Sequence, residues 1–286
     1  MSRQFRVVAA ARGWRWFQSA IGMLDKNPRG LLLATLLFVV IGQLSNLLSA
    51  IPPLAAVAML VSLLLGPTLL GGLMHAIAEA DAGRPVSPMQ LFEGFRRPGA
   101  LLPLLVLGVL TVLAILILGY AAQSILGPEN IAILQKIASQ QLAPQDAPME
   151  QLAPPLMRLL MVAAAVLFVL LAGLFFAVPR VLFDRRPPLA AFVESIVCCA
   201  ANVLPLTVYG LALIVAAFIL ALVLGVVSLL LGLLGKLGAA LGMLVYLGML
   251  MLVVLVSAAG NFLAWREVFG HADAESTAPP TTGIAV

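Results

Sequence analysis

Apolar residues run almost unbroken through six stretches of this chain, at 30–50, 54–78, 100–125, 156–178, 203–231 and 239–263. A helix needs about 20 such residues to cross a hydrocarbon core about 30 Å thick, so each stretch is long enough to span. A transmembrane barrel would alternate polar and apolar positions. The run from Leu244 to Val256 shows no such alternation. The pattern therefore predicts an all-α polytopic membrane protein with about six transmembrane helices in one domain, 1–265. Ile51-Pro52-Pro53 and Gly235-Lys236-Leu237-Gly238 are placed to turn the first and last hairpins. Pro67, after Gly66, should kink the second span, and Pro179 should end the fourth, because proline lacks the amide that continues a helix.

The segments between spans carry patterns of their own. Val7, Ala10, Trp14, Phe17, Ile21 and Leu24 recur at helical spacing, with Arg12, Arg15, Ser19 and Lys26 on the opposite face, as in a helix lying at the membrane interface. Ser87-Pro88-Met89-Gln90 reads as a capping box opening a short helix, with Leu91, Phe92 and Phe95 apolar and Glu93, Arg96 and Arg97 polar. Pro187-Pro188 opens a third, through Phe192, Glu194 and Ile196 to Asn202. Each leads into a pair of spans. Pro88 and Phe92 match Pro188 and Phe192, and Leu102-Pro103-Leu104 with Gly108 matches Leu204-Pro205-Leu206 with Gly210. A threefold repeat of amphipathic helix plus hairpin follows.

Composition excludes the soluble alternatives. Of 286 residues, 63% are hydrophobic and 10% charged, with a mean hydropathy of +1.13, too few charges for a wet surface. Two cysteines make no disulfide scaffold. Charge also orients the chain. Thirteen of the sixteen Lys and Arg fall in the termini and in the 79–98 and 180–202 loops, which the positive-inside rule assigns to the cytoplasm. The 127–155 loop, with a helix expected over 129–142, should then face outward, and the tail 266–286 should be a disordered cytoplasmic segment. The basic N-terminus lacks the short apolar core and cleavage site of a signal peptide and is expected to be retained. The net charge of +4 and pI near 9.5 suit anionic lipid headgroups. Arg12, Arg15, Arg96, Arg97, Arg185 and Arg186 are the candidate contacts. Nothing points to nucleic acid.

Polar groups at membrane depth are costly and hence candidates for function. Gln43, Asn46, His75, Glu79, Asn202 and Asn261 are such positions. His75 and Glu79 share a helical face one turn apart, but a metal site needs three or four ligands. The ordinary reading is an interfacial pair beside Asp81 that reaches headgroups and water. Gln43, Ser45 and Asn46 either line a polar path or bond neighbouring helices. Glu194 is expected to pair with a nearby Arg. Cys198-Cys199 reads as packing in a reducing compartment. No phosphate loop, dinucleotide fingerprint, H-E-x-x-H or G-x-S-x-G occurs. No catalytic, cofactor or metal residue is assigned.

The order of several loose motifs resembles a family of uncharacterised bacterial six-span inner-membrane proteins, the YciC-like proteins, and remotely the membrane domain fused to some glycerophosphodiester phosphodiesterases. The carrying residues are Ala11-Arg12-Gly13-Trp14 with Asn27-Pro28, Ile51-Pro52-Pro53, Gly66-Pro67 with Gly71, Leu91-Phe92-Glu93-Gly94-Phe95-Arg96, and Asn202 to Pro205 with Tyr209-Gly210. The resemblance implies a six-span helical inner-membrane protein and supplies no activity. The expected function is a non-enzymatic protein that interacts with lipid or organises a complex. The alternative is a transporter or channel for a small or lipid-like substrate. An intramembrane enzyme built on His75 and Glu79 comes last.

Overall fold

The computed structural model describes residues 5–270, and these form helices and no strands. In chain order they are α1 (Ala11–Gly22), α2 (Pro28–Ser49), α3 (Pro52–Asp81), α4 (Glu93–Arg96), α5 (Leu101–Ala138), α6 (Met149–Asp184), α7 (Pro188–Ala201), α8 (Val203–Gly232) and α9 (Gly235–Val268). Six of them, α2, α3, α5, α6, α8 and α9, are long and apolar enough to cross a membrane. They pair in sequence order as three hairpins, α2–α3, α5–α6 and α8–α9.

The second helices of the hairpins, α3, α6 and α9, touch one another pairwise. Most of their buried positions lie at one end, over 67–80, 170–182 and 255–268. At that end also sit the three interfacial segments, each on the hairpin that precedes it in the chain. The segment 88–96 packs on α2–α3 and α7 packs on α5–α6. By the same rule α1, which has no hairpin before it, packs on the last one, α8–α9, and closes the order into a ring. Glycines let backbones meet in these contacts, as small residues do between membrane helices. A Cβ on Gly13 would lie 2.0 Å from the Pro205 carbonyl oxygen, and one on Gly72 would lie 1.7 Å from that of Leu91.

The ring has an open side. Helix α3 packs along α5, joining the first hairpin to the second, and α2 and α9 join the first to the third. Between the second and third, α6 and α8 make next to no contact.

Several elements differ from the sequence expectation. Helix α1 begins at Ala11 because residues before it are a strap bonded to other elements: the Arg6 amide donates to the Val268 carbonyl at 2.8 Å and the Val8 amide to Asn202 Oδ1 at 3.0 Å. The buried face of α1 is Gly13, Trp16, Phe17 and Ala20, while Trp14 and Ile21 of the predicted stripe are exposed. An interfacial helix has two apolar neighbours, protein and hydrocarbon, and the stripe falls partly toward the second. The Ser87 capping box forms, yet it opens a 3-10 helix, Pro88–Phe92, before the single turn of α4. Helix α6 runs through Pro179 to Asp184. One turn before that proline, the Ser195 hydroxyl of α7 enters the ladder, accepting from the Phe176 amide at 2.9 Å and donating to the Ala172 carbonyl at 2.5 Å. The hydroxyl thus bridges the Phe176 amide and the Ala172 carbonyl and ties α7 to α6. The helix expected over 129–142 is present but shorter: past Gly127, at φ 70° and ψ 168°, a helical stretch runs from Pro128 to Ala138. Residues 266–268 belong to α9, 269–270 form a turn after it, and the expected tail from His271 on lies outside the described residues.

Candidate functional site

The polar chemistry gathers at the buried end of the bundle, where three knots of side chains tie the hairpins together. In the first, Asp81 at the end of α3 pairs with Lys26 from the turn before α2 and with Arg266 from α9. Beside it, Arg84 holds Glu79 through two hydrogen bonds of 2.6 and 2.7 Å, while His75 Nε2 stands 3.9 Å from the same carboxylate. The Asp81 side chain is only 7% exposed. It is held inside by two cations from other elements.

The second knot centres on Arg180, a buried charge that sequence reading did not single out. Its guanidinium donates to Asp184 Oδ2 at 2.7 Å and Glu194 Oε2 at 2.6 Å, and lies 4.3 Å from the centre of the Phe269 ring. Arg186 also pairs with Glu194, and Trp265 Nε1 donates to Asp184 at 3.4 Å. Burial alone would raise the Glu194 carboxyl, but the hydrogen bonds from Arg180 and Arg186 outweigh it and hold the group below the usual carboxylate range. The one visible signal for Arg180 was its place next to Pro179, which was read as a helix end. Because α6 continues, Arg180 and Asp184 become neighbours one turn apart.

The third knot is Asn202, fully buried at the junction of α7 and α8. Its Oδ1 accepts from the Val8 amide, and its Nδ2 donates to the carbonyls of Arg6 and Cys198, each at 3.1 Å. Nearby, Glu267 of α9 pairs with Arg12 and accepts from Trp16 Nε1 at 2.8 Å, fastening α1. Tyr209 adds a clamp that composition alone does not reveal. Its hydroxyl donates to the Ser257 carbonyl at 3.0 Å, and a Cβ on Gly260 would collide with it.

The other candidate residues fall in different settings. Gln43 and Asn46 bond each other at 3.3 Å along α2 and line none of the cavities described below. Asn261 is buried in α9 with its Oδ1 unpartnered. Among the headgroup candidates, Arg12 and Arg186 are engaged by carboxylates, Arg15, Arg96 and Arg185 are exposed, and Arg97 is half-buried. Cys198 and Cys199 are buried in α7, and burial pushes both thiols up to about 12, which suits packing better than thiolate chemistry. Among the described residues no three of His, Cys, Asp and Glu gather as metal ligands would.

Three apolar grooves open beside the knots. Two flank α1, one of about 350 Å³ against Trp14, Phe17 and α8, the other of about 230 Å³ between Ile21, Leu24 and the α8–α9 pair. The largest, about 590 Å³, fills the open side of the ring between Phe168, Leu171 and Phe175 of α6 and Leu206, Gly210 and Leu213 of α8, with Cys199 at its edge.

Six apolar helices around a charged end describe an integral membrane protein, and comparison with known proteins narrows the description. The chain is 30% identical over 210 residues to a probable inner membrane protein of Burkholderia thailandensis, an alignment that covers 71% of this chain and 73% of that one. The chain belongs to that family of inner-membrane proteins. No family model matches the chain, and no solved structure matches it. The family's membrane character is thus carried here by six spans held together at one end by Asp81, Arg180 and Asn202.

Proposed function

We propose that this protein is a non-enzymatic organiser of the inner membrane that gathers anionic lipids at its charged, cytoplasmic end, with both termini on that side. The observation that carries the reading is the imbalance of charge between the two ends. The knotted end holds twelve described cations against seven carboxylates, while the other end holds three of each. The knots engage most of the seven, and Arg15, Arg96 and Arg185 remain exposed for headgroups. Basic residues near an anionic leaflet contribute roughly 1 kcal/mol each.

The test is reconstitution of the full chain in nanodiscs mixing phosphatidylcholine with phosphatidylglycerol. Phosphatidylglycerol should be enriched around the protein, less so with Arg15→Gln plus Arg96→Gln, and less at high salt, which screens exposed charge. Equal retention of the two lipids would reject the reading. The apolar fissure between α6 and α8 favours a second one, movement of a lipid-like substrate through a lateral opening. Accelerated lipid exchange between leaflets of vesicles holding the protein would choose it over the first.

A further inference from the structure

At the charged end, a cavity of about 190 Å³ lies between the turn from α4 into α5 and the end of α6. Its walls include Arg97 on one side and Arg185 and Arg186 on the other, and no carboxylate lines it. The floor is apolar, with Ala100 and Pro103 facing Val181 and Leu182. Glu93, one turn before Arg97, neither lines the cavity nor pairs with that arginine, and two other nearby carboxylates are bonded elsewhere. Asp184 is bonded by Arg180, and Glu194 is shared by Arg180 and Arg186. Arg97 and Arg185 have no carboxylate partner among the described residues.

The backbone on one wall is also unusual. Arg185 closes α6 in the left-handed conformation, φ 53° and ψ 33°, a place where glycine is unstrained and a side chain is not. The Arg186 amide returns to the Arg180 carbonyl at 3.2 Å, so the turn is held in a C-capping arrangement. An arginine there sets a second guanidinium at the cavity against a local conformational preference, the kind of cost that functional positions carry. Three guanidinium groups around a pocket with an apolar floor match an anionic phosphate attached to a short apolar stem. Guanidinium recognises phosphate through paired, charge-assisted hydrogen bonds.

We propose that this cavity is a discrete phosphate-binding site that takes one anionic phosphate group, with Arg97 and Arg185 as its principal ligands and Arg186 as a third positive wall. The site rests on the lipid-gathering reading above and sharpens it from a diffuse basic belt to one stoichiometric position. A headgroup with a cationic far end, such as phosphocholine, is disfavoured by the same three charges.

The experiment uses the full chain in phosphatidylcholine nanodiscs doped with phosphatidylglycerol, with lipids counted after gentle extraction by native mass spectrometry. The wild type should retain one phosphatidylglycerol that resists washing. Arg185→Gly should keep the fold, because glycine suits the left-handed position, and should still weaken retention. Together with Arg97→Gln the loss should reach about tenfold or more, as expected when a charge-assisted hydrogen bond is removed. Arg158→Gln, exposed at the opposite end of the molecule, should leave the tightly held lipid in place. Competition with inorganic phosphate identifies the source: displacement of the retained lipid shows that the site also takes phosphate from solution, and failure to displace it shows that it reads the headgroup in the leaflet. Either result fits a phosphate site. Wild-type retention by a folded Arg97→Gln, Arg185→Gly double variant would overturn the proposal while general enrichment of phosphatidylglycerol, if present, left the broader reading intact. If the wild type showed no preference for phosphatidylglycerol at all, both would fall together.

Discussion

Glu194 shows how one side chain acquires a structural role that its neighbours in sequence only hint at. Pairing with a local arginine was expected, and Arg186 provides it, but the buried Arg180 of α6 is a second partner, at 2.6 Å. The carboxyl is held below its ordinary range, so the folded state binds the proton more weakly than the unfolded one. The stabilisation is therefore present above the unfolded value of about 4.3 and is lost as pH falls through the lower folded value. Glu194→Gln should lower stability at neutral pH by about 1–3 kcal/mol, since Arg180 and Arg186 lose a charged acceptor. Thermal unfolding in detergent from neutral pH down to pH 3 checks both points. The gap between wild type and variant should shrink on acidification, and a gap independent of pH would refute the assignment. Asn202 teaches a related lesson. A polar residue marked as a candidate intramembrane position is satisfied by the amide and carbonyl groups of a strap nearly two hundred positions away.

Hairpins and interfacial segments were legible as elements because their signals are local. Apolar length marks a span, proline and glycine mark a turn, and Ser87 with Gln90 marks a cap that the structure contains. Ends were less legible where neighbours compensate. Pro179 does not stop α6, which continues to Asp184 with α7 packed against it. Packing between elements depends on close backbone approach, which gives a sharp test at Gly72. A methyl group there would overlap the Leu91 carbonyl. Gly72→Ala should destabilise the protein by about 1–3 kcal/mol, as overpacking does, and loosen the 88–96 segment from α3. A reduced melting temperature with faster proteolysis near Arg96 and Arg97 would register this. Unchanged melting would mean that the segment does not sit as described.

At the scale of the whole molecule, three hairpins are arranged in a ring whose interfacial segments each sit on the preceding hairpin, with one side open between α6 and α8. The uneven distribution of charge between its ends predicts its orientation. A reporter fused after Gly270 that is active only in the cytoplasm should be active, and one inserted in the 139–147 turn should not be. The opposite pattern would invert the topology. The sequence by itself determined that the chain is helical and membrane-spanning, where the spans lie and which end is basic, since these depend on hydropathy and charge summed over neighbouring residues. Only the tertiary structure decided which carboxylates are spent on Lys26, Arg12, Arg180 and Arg266, that α1 belongs to the last hairpin, and that Arg97 and Arg185 share a cavity. Those facts depend on contacts between residues far apart in the chain, and in a sequence this uniformly apolar no local pattern distinguishes one greasy helix face from another.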